Sequence, residues 1–188
     1  SGERLLMVAD IIKNSTKNNR VITVVSAMSP EKKTNGTTSL LLKAADLAVE
    51  GQDYKEVVNQ IATYHYTGIR SAINSPQRIA KCEDYVNSEL ANLSGFLSAI
   101  SIIGELTPKS LDLIVALGEK LSAFILTEVL NDYGVPAEYK DLSTIVDQNF
   151  KTVDAEFFKK LQSDMATFCS PKGSVVPVVT GYFGMVPG

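Results

Sequence analysis

The residues of this 188-residue chain best suited to chemistry are one carboxylate and a set of hydroxyls. Glu119 follows Gly118 in the stretch LGEKLSAFILTEVL, residues 117–130, where Leu121, Phe124, Ile125 and Val129 mark an apolar helix face. A helix that begins at this glycine would hold Glu119 at the positive end of its macrodipole, with packing behind it. A carboxylate fixed in that way can point into a cleft and meet an ammonium group. The commoner role of a helix-start Glu is structural. Thr37, Thr38 and Ser39 precede an apolar run over residues 40–49, where a hydroxyl N-cap is expected. The same helix start offers N–H groups to an anion. There is no Ser/His/Asp set, no Cys/His pair in a nucleophile's context and no Gly-x-x-x-x-Gly-Lys loop, so covalent catalysis is not indicated. Hydroxyls and helix N–H groups for a carboxylate, with Glu119 for an ammonium, suit a small zwitterion.

The remaining titratable groups read as structural. His65 stands alone between Tyr64 and Tyr66 and reads as a packing or hydrogen-bonding residue. With no second His and no paired Cys, no metal site is expected. Cys82 falls on an apolar stripe and reads as an inert core thiol. Two cysteines make no disulfide framework, and no signal peptide opens the chain, so a reducing cytoplasm is expected. Net charge is −3 without a basic block, which argues against a nucleic-acid binder. The longest apolar stretch, residues 96–103, is broken by serines and too short to span a bilayer, so no membrane partner is expected.

The elements that must position Glu119 and the hydroxyls alternate between helix and strand. Helical spacing over Leu5, Leu6, Val8, Ala9, Ile11 and Ile12 is followed by a β-branched run at residues 21–25, a buried strand by its composition. Residues 30–36, PEKKTNG, form a loop whose Lys32 and Lys33 read as solvated. Helices are expected over residues 53–73 and from Ser75-Pro76, with Ile79, Cys82, Val86, Leu90, Leu93, Leu97 and Ile100 on one stripe. Thr107-Pro108 starts another, with a break at Gly118 and a stop at Gly134. Residues 137–142 form a second strand whose Asp141 either faces a ligand or caps the next turn. A helix over residues 154–167 puts Phe157, Phe158, Leu161 and Met165 inward, and residues 175–179 form a third strand. Composition, 45% hydrophobic and 21% charged, fits one globular domain over residues 1–188. The pattern predicts an α/β fold, a three-layer α/β/α sandwich with a mostly parallel sheet, the strands at 21–25 and 175–179 adjacent or nearly so.

Four stretches in order carry a family likeness: VITVVSAMS at 21–29, GTTSLLL at 36–42, LGEKLS at 117–122 and VVPVVTGYFG at 175–184. Together they resemble the aspartokinases of the amino-acid kinase superfamily, the fungal form above all. That family runs S-A-x-S, T-[NS]-L-L, G-E-x-L-S and V-P-V-x-T-G-[FY]. By this resemblance Ser26, Thr38, Glu119 and Tyr182 bind the substrate, L-aspartate, with Glu119 on its amino group. Tyr182 stands where Phe is commoner. The implied activity is ATP-dependent phosphorylation of the side-chain carboxylate of aspartate, towards threonine and methionine. ATP and Mg²⁺ are implied for the full enzyme, which would be a homo-oligomer.

The family also carries K-F-G-G-T-S upstream and G-R-G-x-[ST]-D downstream, and neither is present. Residues 1–188 therefore resemble a partial catalytic domain, the aspartate-binding lobe. No catalytic residue is assigned within it, and alone it is expected to bind no ATP and to be inactive. The alternatives are another amino-acid kinase, such as an acetylglutamate or uridylate kinase, and a non-catalytic binding or assembly module.

Overall fold

The computed structural model describes residues 2–29, 36–146 and 149–184. Lys32 and Lys33 lie outside the described residues. Among the described residues, six helices and three strands run in the order α1 (Gly2–Thr16), β1 (Thr23–Val25), α2 (Thr37–Val49), α3 (Lys55–Ala72), α4 (Pro76–Ile103), α5 (Pro108–Asp132), β2 (Ala137–Lys140), α6 (Ala155–Phe168) and β3 (Val176–Thr180). The strands form one parallel sheet in the order β1-β3-β2. Thr23 pairs with Val178, and Tyr139 pairs with Val178 from the other side. The expected α/β class and the adjacency of the first and last strands are both present.

Helix α5 is the centre of the molecule. It packs on all three strands and on α1, α2, α3 and α4. From Leu121 to Leu130 every residue but Phe124 is buried, because neighbours surround the helix on every side. Its face towards the sheet meets Val176 and Val178, and its other faces meet the stripes of α2 and α4. An aromatic cluster fixes β2 against it: Phe124 stacks on Tyr85 at 3.9 Å between centroids, and Tyr139 meets both rings edge-on. The next residue along the strand, Lys140, points the other way and sits over Phe168 of α6. Helix α6 is met on that side and has a small core of its own around Val146, Phe157 and Leu161.

Local chemistry accounts for the helix starts. Ser75, Thr107 and Asp154 each accept a first-turn backbone N–H, and Pro76 and Pro108 follow two of them where a missing N–H costs nothing. At the other end of α5, Gly134 takes φ 79°, and the N–H of Val135 reaches back to Leu130 O.

Four expectations are corrected. Gly118 does not break a helix, and Glu119 is not at a helix start: α5 is continuous from Pro108 to Asp132, and both residues lie in its interior. The N-cap of α2 is Gly36, with no side-chain cap bond, so the hydroxyl of Thr37 serves elsewhere. Among the described strands β1 lies at an edge, and it is not buried on both faces; Val24 remains 65% exposed. Phe158 is 58% exposed while its neighbour Phe157 fills the core.

Candidate functional site

Four segments meet at the carboxyl end of the sheet. β1 ends at Val25, and Ser26 follows it, exposed. Two residues on, the carbonyl of Met28 accepts both the backbone N–H of Thr37 at 3.2 Å and its hydroxyl at 2.8 Å. This pair of bonds seats the start of α2 beside the end of β1, and leaves Thr38 half-buried at the second helical position. Thr37 is sealed in, which is why its hydroxyl is paired and cannot cap.

Helix α5 closes on this corner at Gly118. A Cβ there would come within 2.7 Å of Ala27 Cβ and 3.2 Å of Thr37 Cγ2. The glycine is thus a contact requirement, and it lets the helix pass close enough for Glu119 to reach the strand ends. Past β3, the N–H of Gly181 donates to Val25 O at 3.1 Å and extends the β1–β3 ladder by one bond. The N–H of Tyr182 donates to Glu119 Oε2. A side chain at Gly181 would crowd both carboxylate oxygens, at 3.2 and 3.3 Å. Thr180 completes the anchor: its hydroxyl donates to Tyr182 O at 2.9 Å and accepts from Leu142 N at 3.0 Å.

Glu119 is therefore half-buried and held by backbone from one oxygen, while Oε1 has no hydrogen-bond partner among the described residues. No cation among the described residues pairs with it. Its neighbour Lys120 pairs instead with Asp141 at 2.9 Å. Asp141 also accepts from Ser143 N at 2.8 Å, so it caps the turn after β2. Burial raises its carboxyl pKa, but the Ser143 N–H and the Lys120 ammonium outweigh that and leave it below the ordinary carboxylate value. A fixed carboxylate without a counter-ion among the described residues, beside the hydroxyls of Ser26 and Thr38, can receive a ligand's ammonium group.

Tyr182 meets Glu119 through its backbone alone. Its ring lines a neighbouring cavity of about 470 Å³ with Leu93, Phe96, Leu117 and Lys120, which Ser26, Thr38 and Glu119 do not line. Its buried hydroxyl has no partner among the described residues, and burial followed by the Asp112 charge pushes the phenol pKa up. Sequence reasoning missed Gly181, Thr180 and the pinning role of Thr37. Their signal was the T-G pair directly before Tyr182 and the doubled threonine at 37–38, neither of which tells which carbonyl or carboxylate is met.

Residues 1–188, the whole chain, match the model of the amino acid kinase family. The chain belongs to that family. Among curated members of the amino acid kinase family, the aspartokinase of Saccharomyces cerevisiae is 38% identical over 191 residues, an alignment covering 96% of this chain and 36% of that protein. The aspartokinase of Schizosaccharomyces pombe is 33% identical over 186 residues, covering 97% and 36%. The chain thus spans little more than a third of the length of these relatives. Its fold is similar to that of E. coli aspartokinase III, solved with aspartate and ADP, with a TM-score of 0.72 at 21% identity over 96% of this chain and 38% of that one.

Proposed function

We propose that this chain is the amino-acid-binding lobe of an aspartokinase, holding L-aspartate while its side-chain carboxylate is phosphorylated from ATP. The observation that carries this is Glu119: a backbone-anchored carboxylate with one unbonded oxygen and no cation, at the corner where β1, β3, α2 and α5 meet. Glu119 takes the substrate ammonium. Ser26 and the hydroxyl and backbone N–H of Thr38 take a carboxylate, since the N–H of Thr37 is spent on Met28 O. Tyr182 orients Glu119 through its N–H, while its side chain lines the neighbouring cavity. The named relatives, fungal aspartokinases among them, support the choice of substrate.

Among the described residues no three of His, Cys, Asp or Glu converge as a metal site. We assign the phosphate and Mg²⁺ side of the transfer to no residue of this chain. Its share is to orient the amino acid, which matters because phosphoryl transfer depends on positioning and charge stabilisation. We place the reaction in the cytoplasm and in a longer, homo-oligomeric protein.

Glu119→Gln tests the assignment. The amide oxygen can still accept from Tyr182 N–H, so the fold is kept while the charge is removed. A charge-assisted contact contributes ~1.5–3 kcal/mol, so in the natural-length enzyme kcat/KM for aspartate should fall about ten- to a hundredfold with little change in melting temperature. Lost stability with intact kinetics would make Glu119 structural. Aspartate binding without turnover in the natural-length wild type would favour a non-catalytic module.

A further inference from the structure

A second cavity, of about 540 Å³, lies at the opposite end of the sheet from Glu119. Three connections wall it: residues 16–21 ahead of β1, residues 134–136 ahead of β2, and residues 171–176 leading into β3. The entry to every strand of the sheet is thus part of one concave surface. Lys13, Lys17 and Arg20 line it, and no Asp or Glu does.

Each of these cations leans on a neutral acceptor. Lys13 Nζ donates to Tyr133 O at 3.3 Å and sits 4.6 Å from the centroid of the Tyr133 ring. Lys17 Nζ donates to Asn14 Oδ1 at 2.8 Å, and Arg20 Nη2 donates to Pro171 O at 2.9 Å. None of the three forms an ion pair among the described residues. Asp10, on the same helix as Lys13, is engaged by Asn14 Nδ2 at 3.2 Å and by the Tyr133 hydroxyl at 3.4 Å, and it does not line the cavity. The chain as a whole carries −3, so this grouping runs against the global charge. Like charges held around a concave wall focus a positive potential, and an oxyanion entering it exchanges neutral acceptors for charged ones.

We propose that this cavity binds a compact polyanion, its charge carried on phosphate or carboxylate oxygens, and that the bound anion ties together the entries of β1, β2 and β3. The guanidinium fork of Arg20 suits a planar pair of oxygens, and the two ammonium groups supply point charges from α1. Three cations in a pocket of this volume match a small molecule, and they are too few for a nucleic-acid track.

The test is titration of the Ser1–Gly188 chain with sodium tripolyphosphate, and in a second arm with citrate, at constant ionic strength. Heat and backbone amide shifts are followed together. One saturable site is expected, with shifts at Val21, Gly134, Gly173 and Ser174, and a melting temperature that rises with ligand. Lys17→Gln and Arg20→Gln should each weaken binding about tenfold, whereas Lys17→Arg retains it. Lys17 bonds only Asn14, so its variants keep the fold and remain decisive if Arg20→Gln melts lower. Tighter binding of tripolyphosphate assigns a phosphorylated ligand, and tighter binding of citrate assigns a polycarboxylate. Binding unaffected by both Gln substitutions, or reproduced by sodium chloride at matched ionic strength, overturns the proposal.

Discussion

Gly118→Ala separates two explanations of the glycine beside Glu119, helix punctuation and close packing. At an open helical site, Gly→Ala stabilises by ~0.5–1 kcal/mol, because alanine loses less backbone entropy. Gly95 in α4 is such a site, with nothing within 4 Å of an added Cβ. At Gly118 the new methyl would meet Ala27 Cβ at 2.7 Å, Thr37 Cγ2 at 3.2 Å and Leu41 Cδ1 at 3.5 Å. Ordinary carbon contacts lie at roughly 3.5–4.0 Å. Ala27 has no rotamer to change, and the Thr37 rotamer is held by its 2.8 Å bond to Met28 O. Overpacking against such neighbours costs ~1–3 kcal/mol, so after the propensity gain of about 1 kcal/mol the net loss is about 0–2 kcal/mol. Gly95→Ala and Gly118→Ala should then differ by about 1–3 kcal/mol in urea denaturation followed by circular dichroism. Ala27 follows Ser26 and Thr37 precedes Thr38, so the methyl also wedges the two hydroxyls apart, and aspartate affinity should fall in Gly118→Ala alone. Equal stabilisation by the two substitutions, with unchanged affinity, would refute the packing argument.

Two further outcomes follow from buried titratable groups. His65 is fully buried with Nδ1 2.8 Å from Ile61 O; burial lowers its pKa from 6.5 to about 4, with the Ile61 bond opposing. The unfolded chain therefore takes up the proton first, and stability present above pH 6.5 should be lost as pH falls towards 4, by up to about 3 kcal/mol; pH-dependent melting of His65→Leu should lack that slope. The Cys82 thiol is pushed up to about 12 by burial and then by the Glu128 charge, so iodoacetamide at pH 8 should modify Cys169 in the native protein and Cys82 only after denaturation.

Much of the fold was legible because its signals are local. Ser75-Pro76, Thr107-Pro108 and Asp154 announce helix starts through bonds spanning three residues, and the β-branched runs announce strands. What was illegible depends on partners far along the chain. Gly118 resembles punctuation until Ala27 and Thr37 are seen against it, some eighty to ninety residues upstream. Glu128 hides in an apolar run, 3% exposed, because Arg78 and Lys81 each reach it at 2.6 Å from α4. The exposed face of Val24 was unreadable because composition cannot tell an edge strand from a central one. At the candidate site the family motifs pointed to Ser26, Thr38, Glu119 and Tyr182, while their mutual anchoring runs through backbone groups that carry no sequence signature.

The position of β3 also orders events during synthesis. Among the described strands it is made after β1 and β2, yet it lies between them, and β1 and β2 do not pair with each other. Until Val176–Thr180 has left the ribosome, β1 and β2 lack the strand that each pairs with here, while the helices around α5 can already pack. Insertion of β3 closes pairs as distant as Thr23 and Val178, and such long closures are slow. The same insertion brings Gly181 to Val25 and Tyr182 to Glu119. Assembly of the sheet and fixing of the Glu119 carboxylate are thus one event, and a nascent chain halted before Val176 would have neither.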